Sequence, residues 1–171
     1  MYQPDKTDWK IITLLNKDGR MSSAEIARQL GDITARTINN RINVLIEQDI
    51  INIHSIINPD AIGYCILADV FIETEAGRLL EVADHVAKFP QVSYLACATG
   101  DTDVIVSIRA RELKELYDFI IEKLGKIPGV RHTQTYLLPV KIKDNDTWLP
   151  PNVLDNGEDN DSSEPHPAKA G

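Results

Sequence analysis

The chain has 171 residues and a mass of 19.1 kDa, with 43% hydrophobic and 26% charged residues and a formal net charge of -8. That length fits one domain or two small ones, and that apolar share suffices for a packed core, which excludes wholesale disorder. No apolar run approaches the roughly 18 residues of a membrane span, the start shows no secretory signal, and two cysteines are too few for a disulfide scaffold or a structural zinc site, so a cytoplasmic protein without metal or other cofactor is expected.

The charge is unevenly spread. Residues 1–50 balance at 7 basic and 7 acidic, and residues 101–150 balance at 8 of each. Residues 51–100 carry 2 basic against 6 acidic, and residues 151–171 carry 1 against 5. An N-terminal module that meets nucleic acid is therefore permitted, though not a strongly electrostatic one.

In chain order, Trp9, Ile11, Ile12, Leu14 and Leu15 are spaced close to a helical stripe, with Asp5 and Asp8 at the end where acids suit the helix dipole. Asp18-Gly19 stops this helix. Ser22 to Glu25 reads as a capping box opening a short second helix, with Ala24, Ile26, Ala27 and Leu30 along it and Gly31 at its end. Thr34 caps a third helix that runs to about Gln48, with Ile38, Ile42, Leu45 and Ile46 on its buried face. The β-branched run Ile50–Ile57 then reads as one strand or a wing, closed by Asn58-Pro59.

The second half alternates differently. Strands are expected over Tyr64–Thr74, Val92–Thr99, Asp103–Ala110 and Val130–Lys143, and helices over Glu75–Lys88 and Glu112–Lys126. Gly100-Asp101 turns the chain and Pro128-Gly129 breaks it. Cys65 and Cys97 fall in strands and read as small core residues. After Pro150 the composition becomes acidic and nearly free of apolar residues, which predicts a disordered tail.

The fold class is thus α+β. A three-helix winged helix-turn-helix occupies residues 1–50, and a linking strand or hinge residues 51–63. A ferredoxin-like β-α-β-β-α-β sandwich occupies 64–149, and an acidic tail 150–171. Two helices would cover one face of a four-stranded antiparallel sheet. Tyr64–Thr74 is apolar on both faces, which calls for a second subunit over the open side.

In a helix-turn-helix the last helix enters the major groove and its first turns touch base edges. Here its outward residues are taken as Ala35, Arg36, Thr37, Asn39, Asn40, Arg41 and Asn43. Arginine suits guanine and asparagine suits adenine through paired hydrogen bonds. The DNA-facing set is Arg20, Ser22, Ser23, Thr34, Arg36, Thr37, Asn39, Asn40 and Arg41, with Arg28 a further phosphate contact. An ordinary solvated helix face is the alternative. Asparagine is a mediocre helix former, however, and three on one face need a reason.

The order of elements, with Asp8 to Ile12, Asp18-Gly19-Arg20, Ser23 to Ala27, Arg41 to Leu45, Asn58-Pro59, Ile62-Gly63, Thr99 to Asp103, Pro128-Gly129-Val130 and Thr133-Gln134-Thr135, resembles the Lrp/AsnC transcriptional regulators. The stretches cover roughly residues 5–143 in the family's order. The resemblance implies double-stranded DNA and a small-molecule effector, often an amino acid, as partners. It also implies a homodimer, formed through the sheets, that assembles into a tetramer or octamer. It places the effector at Gly100, Asp101, Thr102, Asp103, Thr133 and Thr135. Backbone groups at a glycine turn, an aspartate and hydroxyls are compatible with polar ligand ends, and a plain strand-capping turn is the alternative.

There are departures from the pattern. Gly31 to Thr34 is one residue longer than the family's usual turn, Asp49 stands where it usually has glycine, and Thr102 stands where an aromatic is frequent. Two other function classes are open to such a chain. A tetrapyrrole decarboxylase-like enzyme would need clustered histidines, whereas His54, His85, His132 and His166 are isolated in sequence and show no ligand spacing. A sensor or partner subunit that has lost DNA contact is compatible with the balanced N-terminal charge.

Overall fold

The computed structural model describes residues 2–143 and 148–154. They form two compact units, one comprising the chain up to Ser55 together with the described residues 148–154, and the other running from Ile56 to Lys143. The acidic stretch from Asp155 onward lies outside the described residues. The four residues before it, Pro151–Leu154, form a single helical turn where a tail was expected.

The first unit is three helices: α1 (Lys6–Lys17), α2 (Ser23–Leu30) and α3 (Ala35–Glu47). Each start is capped by a side chain, but the reciprocal capping box expected at Ser22 and Glu25 occurs at Asp5 and Asp8 instead, the Glu25 carboxylate being taken by Arg28 and Gln29. Asp5 Oδ1 accepts from the backbone of Thr7 and Asp8, Ser22 Oγ from Glu25, and Thr34 Oγ1 from Thr37. Ile11, Leu15, Ile26, Ala27 and Ile38 meet in a small core, with Ile33 and Ile51 packed against it. Between α2 and α3 the chain turns at Gly31, with φ 86°, and Ile33 anchors the loop in the core. Asp49 takes the left-handed conformation itself, at φ 53°. The Ile50 N–H reaches back to the Leu45 carbonyl at 2.9 Å, so the usual helix exit is kept without glycine.

Residues 51–58 form no strand, against expectation. Their β-branched content suits a strand, but no ladder partner for them exists among the described residues. Ile53, Ile56 and Ile57 stand exposed instead.

The second unit contains β1 (Ile66–Thr74), α4 (Leu79–Val86), β2 (Val92–Cys97), β3 (Val104–Ala110), α5 (Leu113–Glu122) and β4 (Val130–Leu137). All pairings are antiparallel in the order β2-β3-β1-β4, the split βαβ arrangement expected. Alternation along β3 is complete: Val104, Val106, Ile108 and Ala110 are buried and the residues between them are half-buried. With Val70 and Ile72 of β1 they meet Val82 and Val86 of α4 and Leu116 and Phe119 of α5. Several elements are shorter than expected. Glu75–Arg78 is a turn rather than helix, and Pro139, which lacks a donor, follows the end of β4. Both cysteines are exposed rather than core residues, Cys65 before β1 and Cys97 at the end of β2.

Candidate nucleic-acid interface and ligand site

The helix-turn-helix presents α3 by its first turns. Arg36, Asn39, Asn40 and Asn43 are exposed, and the spacing of three, four and seven residues puts them on one face. The opposite face, with Ile38 and Leu45 fully buried, binds the helix to the core. Arg20 and Arg36 make no side-chain ion pair among the described residues, so both guanidinium groups are available to a phosphate or a base. Ser22, Thr34 and Thr37 are less free. Ser22 Oγ and Thr34 Oγ1 cap α2 and α3, and the Thr34 and Thr37 hydroxyls bond each other at 2.9 Å. Ser23 is half-buried in the first turn of α2.

Two of the basic residues assigned to DNA are engaged elsewhere. Arg28 is held by Glu25 on its own helix, through Nη2 at 2.7 Å. Arg41 is half-buried, and its head is bonded within the module. It lies three residues after Ile38 and four before Leu45, on the buried stripe, and its Nη1 reaches Asp5 Oδ2 and Asp8 Oδ1, each at 2.8 Å. Asp8 is fully buried, and its carboxylate also accepts from the Tyr2 hydroxyl at 2.7 Å and the Asp5 backbone N–H at 3.0 Å. The Asp8 backbone N–H, and after it the Arg41 guanidinium, hold the Asp5 carboxyl below its ordinary value. The bond to Asp8 pushes the Tyr2 hydroxyl up, and the two acids raise Arg41 further. Sequence alone marks Asp5 and Asp8 only as dipole-compatible acids and does not mark Tyr2. The signal that could have found this network was the place of Arg41 in the apolar stripe of α3.

In the second unit, Gly100 to Asp103 form the turn between β2 and β3, with Gly100 at φ 127°, a conformation that favours glycine. Asp103 is built into the sheet. Its Oδ2 accepts from the Thr74 backbone N–H at 2.7 Å and the Thr74 hydroxyl at 3.0 Å, and the first of these bonds holds its carboxyl below the ordinary range. The Asp103 N–H and the Thr102 hydroxyl both donate to the Ile72 carbonyl. Ile72 pairs with Thr133, so the turn and Thr133 share one end of the sheet, while Thr135 lies two residues further along beside Val70. Asp101 is exposed and makes no hydrogen bond among the described residues. Close by, Arg131 pairs with Glu73 across β1 and β4. A separate cavity of about 330 Å³ between α5 and Gln91 is lined by Glu112, Glu115, Asp118 and Glu122 among others, and by none of the residues expected to hold an effector.

The sheet face away from the helices carries Leu67, Phe71 and Ile105, all half-buried, and the exposed Tyr94 and Tyr136. Phe71 and Tyr136 meet edge to face at 5.3 Å, and Ser107 Oγ donates to Asp69 at 2.6 Å in the middle of this face. His54, His85 and His132 are exposed and dispersed, and no group of three metal-ligating side chains occurs among the described residues.

Comparison with known proteins matches both units. Residues 4–52 match the family model of a winged helix-turn-helix DNA-binding domain, and residues 67–148 that of the Lrp/AsnC ligand binding domain. An uncharacterized HTH-type transcriptional regulator of Pyrococcus abyssi is 39% identical over 137 residues, covering 80% of this chain and 86% of the relative. The HTH-type transcriptional regulator FL11 of Pyrococcus horikoshii is 37% identical over 147 residues, covering 85% of this chain and 95% of its own length. The fold agrees with that of a transcriptional regulator from Neisseria meningitidis solved as a complex with L-Met, at a TM-score of 0.81 and 24% identity over 89% of this chain and 99% of the other.

Proposed function

Given that this chain belongs to the Lrp/AsnC family of transcriptional regulators, DNA-binding proteins with a ligand-binding domain and not enzymes, we propose that it is a cytoplasmic regulator whose affinity for specific DNA sites responds to an amino acid. Residues 1–50 read the DNA, residues 51–63 link, and residues 64–149 bind effector and assemble the oligomer. The observation that carries the DNA part is the single exposed face of α3 on which Arg36, Asn39, Asn40 and Asn43 stand without partners. Arg36 offers paired donors to the two acceptors of guanine, and each asparagine a donor and an acceptor to the acceptor and donor of adenine, in the major groove. Arg20, Ser22, Ser23, Thr34 and Thr37 sit around it as backbone contacts.

The effector part rests on the turn at Gly100–Asp103, at the same end of the sheet as Thr133 and separated from it by one strand. Thr102 and Asp103 fix the turn, which leaves Asp101 free to pair with an ammonium group and the turn's backbone to meet a carboxylate. The L-Met complex of the Neisseria meningitidis neighbour supports an amino acid as the ligand class. The open sheet face, apolar at Leu67, Phe71, Ile105 and Tyr136, supports a homodimer as the building block of a tetramer or octamer.

Selection of duplexes from a random-sequence library by the full-length protein, at moderate salt and with or without a pooled amino-acid mixture, tests both parts. Enriched pseudo-palindromes whose set shifts with the mixture are expected. Enrichment indifferent to the mixture removes the effector assignment, and no enrichment in either arm removes the DNA assignment.

A further inference from the structure

Arg41 occupies a place from which a recognition helix could be thought to use it, yet its guanidinium is bonded to the start of α1. Nη1 is shared by Asp5 and Asp8, 36 and 33 residues earlier in the chain. The cluster holds two carboxylates against one guanidinium, so its sum is negative and repels a phosphate rather than recruiting it. Asp8 is fully buried and has its donors supplied by Tyr2, the Asp5 backbone and Arg41. Removing one partner of such a buried charge leaves it uncompensated, which is costly. The pair thus joins the start of α1 to the middle of α3 by a directional contact, where the surrounding contacts of Ile38 and Leu45 are apolar and not directional.

We infer that Arg41 is a positioning residue: the network of Tyr2, Asp5, Asp8 and Arg41 fixes α3 against α1 so that Arg36, Asn39, Asn40 and Asn43 meet the bases in register, and Arg41 itself touches no DNA. The inference rests on the DNA-binding reading above. It divides the basic residues of the module into two kinds, with Arg20 and Arg36 meeting DNA and Arg41 setting the angle from which they do so.

The experiment uses the full-length protein, the duplex it enriches from a random-sequence library, and sheared DNA of unrelated sequence. Arg41→Gln removes the cation. Asp5→Asn removes one of its charge partners but keeps the helix cap, because asparagine caps as well as aspartate. Trp9 fluorescence in urea establishes that each variant is folded under the binding conditions. Arg41→Gln is expected to lower the ratio of specific to non-specific affinity about tenfold, the scale of one lost base readout, spread over the whole half-site. The slope of log affinity against log salt stays unchanged. Asp5→Asn is expected to lower the same ratio in the same direction, and the double variant to be no worse than Arg41→Gln alone. A fall of about one in the salt slope, or relaxation at a single base pair with Asp5→Asn behaving as the parent, makes Arg41 a direct contact and overturns the inference. A loss of unfolding stability with the specificity ratio intact overturns it too. A parent protein that enriches no sequence overturns the DNA-binding reading itself, and the inference with it.

Discussion

Replacing Ile38 by alanine separates the two units of this protein experimentally. Ile38 is fully buried on the inner face of α3, in the cluster that also holds Ile11, Leu15 and Ile26. Deleting such a side chain costs about 2–5 kcal/mol, because the surroundings relax only partly into the space left. The three helices of that unit lie within the first 55 residues, and a body of that size has about 3–8 kcal/mol in total at the usual stability per residue. The variant is therefore left with a small margin or none. The sheet unit has its own core around Val70, Ile72, Val106 and Ile108 and loses nothing. The chain supplies its own probes, since Trp9 lies half-buried on α1 and no tryptophan falls between residues 56 and 143. In a urea titration of the full-length variant, the tryptophan transition should move down by about 2 M or more, with a slope of about 1 kcal/mol per M. Far-UV circular dichroism should keep the transition of the sheet unit, and specific DNA binding should be lost. A single transition that shifts as one by both probes would refute the independence of the units, and undiminished DNA binding would refute the role of the Ile38 face.

Three further outcomes follow from particular contacts. Asp103→Ala should destabilise the sheet unit in thermal unfolding, since it strips two acceptor contacts from Thr74, whereas Asp101→Ala should leave the melting temperature unchanged and weaken the response to amino acids. Equal melting shifts for the two would show that the turn has been assigned wrongly. Asp49→Gly should stabilise the helical unit by about 0.5–1 kcal/mol, the relief of a left-handed aspartate less the added chain entropy of glycine, and an unchanged or lowered urea midpoint would contradict this. Acid should loosen both units. The folded carboxyls of Asp5 and Asp103 lie below their ordinary value of about 3.9, so the stability they contribute is fully present above that pH and lost as pH falls through the lower folded values. Asp5→Asn should flatten this dependence in the tryptophan signal, and an Asp5→Asn profile as steep as the parent's would assign the acid response to other groups.

Much of the architecture was legible because local signals agreed with the fold. The caps at Ser22 and Thr34, and the alternation along β3, each follow from short-range chemistry. The failures share one cause, that the deciding partner lies far away in sequence. Ile50–Ile57 has the composition of a strand but no ladder to join within the described residues. Cys65 and Cys97 belong to a class that is usually buried, yet they fall at strand ends in the open. Sequence marks Asp103 as an effector residue or a plain turn aspartate, and its bond to Thr74, 29 residues earlier, at 2.7 Å exists only once the sheet has formed. Arg41 is the exception, since its spacing from Ile38 and Leu45 already placed it on the inner face. Its residue type, so often a base reader, outweighed the helical period.

Charge settles what kind of DNA binder this helix-turn-helix can be. Its basic and acidic residues balance over residues 1–50, and two of its arginines, Arg28 and Arg41, are neutralised by carboxylates within the module. Around the reading face only Arg20 and Arg36 remain as guanidinium groups without an ion pair among the described residues. On the proposed reading Arg20 meets phosphate and Arg36 the bases, so the guanidinium groups contribute a salt slope of about -1 for one copy. A homo-oligomer on one duplex makes each later contact intramolecular once the first is made. Two engaged copies then predict a contribution from Arg20 near -2 and four copies one near -4. The Arg20→Ala variant should lower the measured slope by about one for each copy that touches DNA, whereas Arg36→Ala should relax the base preference. A slope that Arg20→Ala leaves unchanged would mean that Arg20 meets no phosphate.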